Sequence, residues 1–357
     1  MPEHRWSRSR AMLKLMLAAA LVAGSVNAYA KPDISAIIVQ ALAVKALPIR
    51  EFEPAHPERR VFGRLRYRGG IQLSSESPFF GGISGLAVDG DTGRFLAVSD
   101  AGAWMRGRIA YRGSAPVGVE DLEIGPMLSR EGKPLAREKD RDAEAIALVS
   151  GTLESGEALV AFEQNKRVGR FPVGKDGLGA PQSYLPLPKD VQKLVANRSL
   201  ESVVVLPAGP MKGALVLIAE RGSGAGDRPG WVIAGKKVSE FRLADHGGFD
   251  VSDLAALPNG DIVVLERRFT WSEGMRMRLR LVSQSELAPG AKVEGEELFS
   301  ADQTFQIDNM EALAVHTDQR GASVLTIMSD DNFNFFQRTL LLQFSILDAD
   351  VTNSTDQ

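Results

Sequence analysis

The sequence predicts an all-β protein, a β-propeller of five clear repeats closing as five or six blades, with the ring completed by an N-terminal strand. Three observations predict it. A short apolar stretch led by a polar residue recurs five times; each copy leads through a turn to a second apolar run ending in an acid; and further alternating runs follow each pair. A period of this length is the signature of a repeat architecture. The copies are 51 to 60 residues apart. Four strands in that length make a propeller blade, whose usual period is roughly 40 to 50 residues.

In chain order the leading stretches are GISGLAVD (82–89), DAEAIALV (142–149), SLESVVVLP (199–207), VSDLAALP (251–258) and NMEALAV (309–315). They align on Ser84, Glu144, Glu201, Ser252 and Glu311. Glu311, Leu313 and Val315 fall on one face and Ala312 and Ala314 on the other, the period of two that marks a strand. A large face and a small face suit an inner strand crowded between neighbouring sheets. The second runs are GRFLAVSD (93–100), EALVAFEQ (157–164), GALVLIAER (213–221), GDIVVLER (260–267) and SVLTIMSD (323–330). They end in Asp100, Glu163, Glu220, Glu266 and Asp330, and in the three copies led by Glu the second acid follows 19 residues later.

Outer strands are expected at VGRFPV (168–173), WVIAG (231–235), VSEFRL (238–243), MRLRLV (277–282) and KVEGEELF (292–299). The last blade has RTLLLQFSI (338–346) as its third strand, and RLRYRGGIQL (64–73) is available as the fourth. The charged, Pro- and Gly-bearing segment 112–141 reads as a surface insertion. DVQKLVANR (190–198) reads as a short helix.

Arg5, Arg8, Arg10 and Lys14 precede an apolar run, Leu15 to Val26, that ends in Ala28, Tyr29, Ala30. This is the layout of a signal peptide, and the run falls short of the roughly 20 residues that span a membrane. The expected organisation is a signal peptide at 1–30, an N-terminal extension or linker at 31–60 and the propeller at 61–350, exported to the periplasm or secreted. Removing residues 1–30 takes away four of 42 basic and one of 45 acidic residues and leaves a net charge of −6. That balance argues against a nucleic-acid partner. No other apolar run is long enough to span a membrane, and a monomer is expected. The absence of cysteine rules out disulfides and thiolate metal sites.

In an antiparallel hairpin the first residue of one strand lies beside the last of the next. The repeated acids Asp100, Glu144, Glu163, Glu201, Glu220, Glu266, Glu311 and Asp330 should therefore meet at one mouth of the central channel. Crowded carboxylates must be protonated, paired with a cationic side chain or shared with a metal ion, and hard oxygen ligands favour calcium or magnesium. Lys166, Arg221 and Arg267 follow the acids closely and would hold an anionic ester. The same residues could equally form ion pairs between blades.

The front GGISGLAVDGDTGRFLAVSDAG and the back NMEALAV…TIMSDDN, with E-[AS]-[LIV]-[AV], a turn, an apolar strand and a terminal acid between them, resemble the "esterase-like activity of phytase" family from about Arg64 to Ile346. More distantly the pattern is similar to the β-propeller phytases, whose paired glutamates hold calcium at the channel mouth. The resemblance implies a divalent cation, calcium, on Glu144 with Glu163, Glu201 with Glu220, and Glu311 with Asp330. Ser84 and Ser252 depart from it, which moves the site toward the other three blades.

No G-x-S-x-G elbow is present, so a serine esterase is not indicated. Among the histidines, His246 in the loop ADHGGFD precedes a repeated strand on the mouth side and is a candidate acid, base or ligand; His316 follows an apolar strand and would line the far end of the channel. The leading expectation is a metal-assisted hydrolase of phosphate or related esters, with Glu201, Glu220 and His246 in the chemistry and a small anionic ester as substrate. The alternatives are a propeller that binds a ligand or partner without catalysis, its acids being structural pairs, and a lactonase-type propeller.

Overall fold

Each aligned apolar run becomes the innermost strand of a sheet. In this computed structural model, which describes residues 31–34, 37–195, 199–222 and 226–347, there are five such sheets, and their inner strands touch in cyclic order. Blade 1 runs outward through Ile83–Val88, Arg94–Ser99, Ala103–Arg112 and Ala115–Pro126. Blade 2 uses Ala143–Gly151, Gly156–Phe162 and Arg167–Gly174, with Gly177–Leu178 and Ser183–Tyr184 sharing its outer edge. Blade 3 has Val204–Val205, Leu215–Ile218, Arg228–Ala234 and Lys237–Leu243; blade 4 has Asp250–Ala256, Ile262–Thr270, Gly274–Val282 and Glu296–Ala301. Blade 5 takes Met310–Thr317, Ser323–Ser329 and Thr339–Ile346 from the C-terminal end, and the N-terminal strand Leu65–Ser74 pairs antiparallel with Thr339–Ile346. The ring therefore closes with five blades and an N-terminal strand. The signal-peptide reading of residues 1–30 lies outside the described residues.

The core is divided among the five seams between blades. Leu313 and Val315 pack toward blade 4, whereas Ala312 and Ala314 pack toward blade 1. Ile146 faces blade 1 and Ala145 faces blade 3. The small face of an inner strand is thus the one pressed on the following blade. Gly85 shows why: a Cβ there would lie 2.8 Å from the Cα of Ala145. Asp253 occupies the corresponding position of blade 4, and its buried carboxylate accepts from the backbone N–H of Leu313 at 2.8 Å.

Two segments differ from expectation. Residues 112–141 are not a surface insertion: Ala115–Pro126 is the outer strand of blade 1, twelve residues long, and buries Ile124. The stretch 292–299 is two strands rather than one. Lys292–Val293 pairs parallel with Lys237–Leu243 of blade 3, and Glu296–Ala301 belongs to blade 4, with Gly295 turning between them at φ 66°. Of the helix expected at 190–198, the structure forms Lys189–Lys193, and residues 196–198 lie outside the described residues.

Residues before the ring are tied to it. Lys45–Ile49 adds a fifth strand beside Leu65–Ser74, Gln40–Ala41 pairs with the outer strand of blade 1, and Phe52 is fully buried. Its ring lies 5.0 to 6.0 Å from those of Phe62, Tyr67, Phe299, Phe305 and Phe344. Described residues from Pro32 onward form one compact unit, in which no helix is long and apolar enough to cross a membrane.

Candidate functional site

The repeated polar position is a β-bulge. Pairing skips Ser84 between Ile83 and Gly85, Glu144 between Ala143 and Ala145, Ser252 between Val251 and Asp253, and Glu311 between Met310 and Ala312. In blade 3 the extra residue falls between the Leu200–Ala219 bridge and the Val204–Val216 pair, a stretch that includes Glu201. A bulged residue leaves the ladder and its side chain is re-aimed. Glu311 accordingly departs from the face of Leu313 and Val315 that strict alternation assigns it. Where the bulge carries serine the role is structural at Ser84, whose hydroxyl donates to the Ala143 carbonyl of the next blade at 2.5 Å.

At the end of the second strand the residue facing the mouth donates its N–H to the residue two before the bulge. The pairs are Asp100 to Gly82, Glu163 to Asp142, Glu220 to Ser199 and Asp330 to Asn309. In blade 4 the residue opposite Asp250 is Arg267, not Glu266, which pairs with Val251. This corrects the placement of Glu266 at the mouth. A shift of one residue turns a strand side chain to the opposite face. Glu266 lies buried in the blade and accepts from Arg278 at 2.8 Å and Arg280 at 2.6 Å. Blade 4 thus contributes a guanidinium where the other four contribute a carboxylate.

Seven acids remain, and all are buried: Asp100, Glu144, Glu163, Glu201, Glu220, Glu311 and Asp330. Asp142, also buried, joins them. Asp142, Glu144 and Glu163 each bring a carboxylate oxygen within 4.8 Å of the others, and Glu163, Glu201 and Glu220 do the same. Glu163 is common to both groups and also accepts from the Ser199 N–H at 2.8 Å.

Burial drives the Glu144 carboxyl well above the usual range, and Glu201, Asp142, Asp100 and Glu311 push it further. Burial does the same for Glu201, assisted by Glu163 and Glu220 and opposed by Arg267. Asp330 is raised by burial and then by Glu311 and Asp100. Glu220 is raised by burial against the pull of Arg267, to about 7. Glu201, Glu311 and Asp100 lie near enough to act on Glu144, and Glu311 and Asp100 near enough to act on Asp330, so these carboxyls stand at one mouth.

Among the described residues, Arg267 brings a positive charge into this group. It lies 3.1 Å from Glu311 and 3.7 Å from Glu220 and donates to Asn309 Oδ1 at 2.9 Å. Burial lowers its pKa, but Glu311, Glu201 and Glu220 outweigh burial and hold it above the ordinary value. Asn309 in turn donates to Glu311 at 2.7 Å. Arg221 forms a bidentate pair with Asp250. Lys166 is partly buried and makes no ion pair with a described residue. The site assembled around the two carboxylate groups does not include His246, which is half exposed and bonds Glu294 at 2.6 Å. His316 lies at the far end of its strand beside Arg68, and burial, with help from Arg68, lowers its pKa to about 4.

Sequence reasoning missed Asp142 and Asn309. Both precede a bulge glutamate by two residues, but the equivalent positions hold Gly82, Ser199 and Asp250, so no repeated residue type marks them. The donor set at Asp142, Glu144, Glu163, Glu201 and Glu220 is wholly carboxylate oxygen, which suits a hard divalent cation.

No curated protein matches the chain. Among solved structures it is similar to the WD40 domain of Neurospora crassa Pan2, with 12% identity and a TM-score of 0.39, over 81% of this chain and 98% of that one. Residues 78–333 match the phytase-like family described as "Esterase-like activity of phytase". That span covers well over half of the chain and contains every acid of the mouth, and the chain belongs to the phytase-like family.

Proposed function

We propose that this chain is an exported, metal-assisted hydrolase of phosphate or related esters, working at the acidic mouth of blades 2 and 3. The observation that carries the reading is Glu163, shared between two groups of three buried carboxylates. Carboxylates so close raise one another's pKa, and a shared divalent cation would relieve that repulsion.

Glu144, Glu163, Glu201 and Glu220 would hold a divalent cation of the calcium type, with Asp142 beside them and Glu311 and Asp330 completing the acidic ring. When bound, such a cation neutralises the carboxylates and polarises an ester oxygen. The chain supplies the remaining functions. Glu220, raised to about 7 by burial when no cation compensates it, would be held as the carboxylate by a bound cation, and a free carboxylate oxygen there can take a proton from attacking water. Glu201 fixes the charge beside it. Lys166 has no anionic partner among the described residues and can meet the substrate anion directly. Arg221 must share its guanidinium with Asp250, so it orients the anion from the rim. His246 would exchange protons with solvent from outside the ring. The substrate is a small anionic ester, and the protein acts as a monomer in the periplasm or outside the cell.

A second reading, a binding propeller without turnover, is favoured by Arg267, which already compensates Glu311 and Glu220. One preparation separates the two. Protein lacking residues 1–30 is assayed on phytate, aryl phosphates and aryl acetates with calcium or EDTA, beside a Glu201→Gln/Glu220→Gln variant. We expect calcium-dependent hydrolysis and a calcium-induced rise in Tm, both lost in the variant. No metal-dependent turnover together with no rise in Tm would establish the binding reading instead.

A further inference from the structure

Four aromatic side chains stand in water at the mouth end of blades 4 and 5. Trp271 is 96% exposed, Phe335 and Phe336 are each 86% exposed and Phe269 is 54% exposed. Phe269 lies two residues beyond Arg267 on the same strand, and Phe335 lies five beyond Asp330, so both groups rise from the end that bears the acids. The rings touch in pairs, Phe269 with Trp271 at 5.5 Å and Phe335 with Phe336 at 5.8 Å, both edge to face.

The loop that carries Phe335 and Phe336 is firmly built. Asp330 accepts from the Asn332 N–H at 2.7 Å, Asp331 accepts from the Phe333 N–H at 3.0 Å, and Asn334 accepts from the Phe336 N–H at 3.0 Å. At its far end Arg338 is held by Asp308, Gln306 and the Ile307 carbonyl. Asn332 and Phe333 both have positive φ, 48° and 50°, a conformation that costs free energy in a bulky residue and persists where the surroundings enforce it. A bonded, strained turn thus holds two phenyl rings away from the core.

We propose that this rim docks on a zwitterionic phospholipid surface. A small-molecule site is concave and buries most of its ligand; rings exposed to this degree are protruding tips and wrap nothing. Tips of this composition enter a lipid interface, where Trp and Phe settle at the headgroup boundary. Charge selects the kind of surface. Arg268 and Arg276 both lean on Glu273, Asp302 lies close to Arg276, and Arg338 leans on Asp308, so the tips carry little net charge. The chain is net negative and has its buried acids behind them, which disfavours an anionic surface. Docking in this way turns the acidic mouth toward the lipid.

The test uses the chain from Lys31, which retains the compact unit and every strand of the five sheets, and phosphatidylcholine vesicles. Trp104 and Trp231 are buried, so a change in tryptophan emission on adding vesicles reports Trp271. We expect a blue shift, flotation with the vesicles, and binding that is unchanged between low and high salt, since apolar contact is not screened. Trp271→Ser and the double variant Phe335→Ser/Phe336→Ser should each weaken partitioning by about tenfold or more, the loss expected for removing buried rings. No flotation, or equal flotation of both variants, would overturn the proposal. So would a concentration-dependent dimer that Trp271→Ser abolishes, because the rim would then be a contact between copies.

Discussion

At Glu220 two influences oppose each other, and burial prevails. Burial favours the neutral acid and Arg267 favours the carboxylate, leaving a pKa of about 7 against an ordinary value of 4.5. Because the folded chain binds this proton more tightly than the unfolded chain, the stability it contributes is fully present below pH 4.5 and is lost as pH rises through 7. Glu220→Gln keeps the shape of the protonated form. In metal-free protein, urea unfolding should find variant and wild type equal near pH 4.5 and the variant more stable above pH 7, by about 3 kcal/mol. With calcium bound, the order should reverse. Glu220 was legible in the sequence because an acid recurs at its place in the repeat. Asp142 was not, because its place in the other blades is filled by Gly82, Ser199, Asp250 and Asn309, a set with no common chemistry.

The hairpin of blade 4 shows what an element adds to a list of residues. ERR at 266–268 offers an acid at the end of the apolar run, and the repeat pattern assigns it to the mouth. Pairing of Asp250 with Arg267 decides otherwise, because the face of a strand side chain follows from register and register is set by the partner strand. Glu266 then pairs with both Arg278 and Arg280 out of reach of water. Breaking such a group by removing one partner costs about 3 to 5 kcal/mol. Glu266→Gln should lower unfolding free energy by about 3 kcal/mol in a denaturant titration and leave the calcium-induced rise in Tm intact. The outer strand Ala115–Pro126 was illegible for a related reason. Charges, Pro and Gly, which blunt an outer strand against pairing with other chains, are the same residues that mark a loop.

For the whole molecule, the repeat period and the spare N-terminal strand were enough to predict the closed ring. The two-residue clasp of Lys292–Val293 onto blade 3 was not predictable, since it depends on where two blades meet rather than on any local pattern. Closure makes a prediction that distinguishes the two ends of the N-terminal segment. Chain beginning at Lys31 should give a single species by gel filtration with a cooperative thermal transition. Chain beginning at Ser75 loses the partner of Thr339–Ile346, exposes a long apolar edge and should aggregate or fail to give that transition. The same pairing constrains time as well as structure. Leu65 lies opposite Ile346, so Leu65–Ser74, paired until then only with the short strands before it, waits for its blade 5 partner until residue 346 has been made. Long-range pairing of this kind is slow to form and exposed to misassociation while it waits, and the last step of folding is therefore the joining of the two ends.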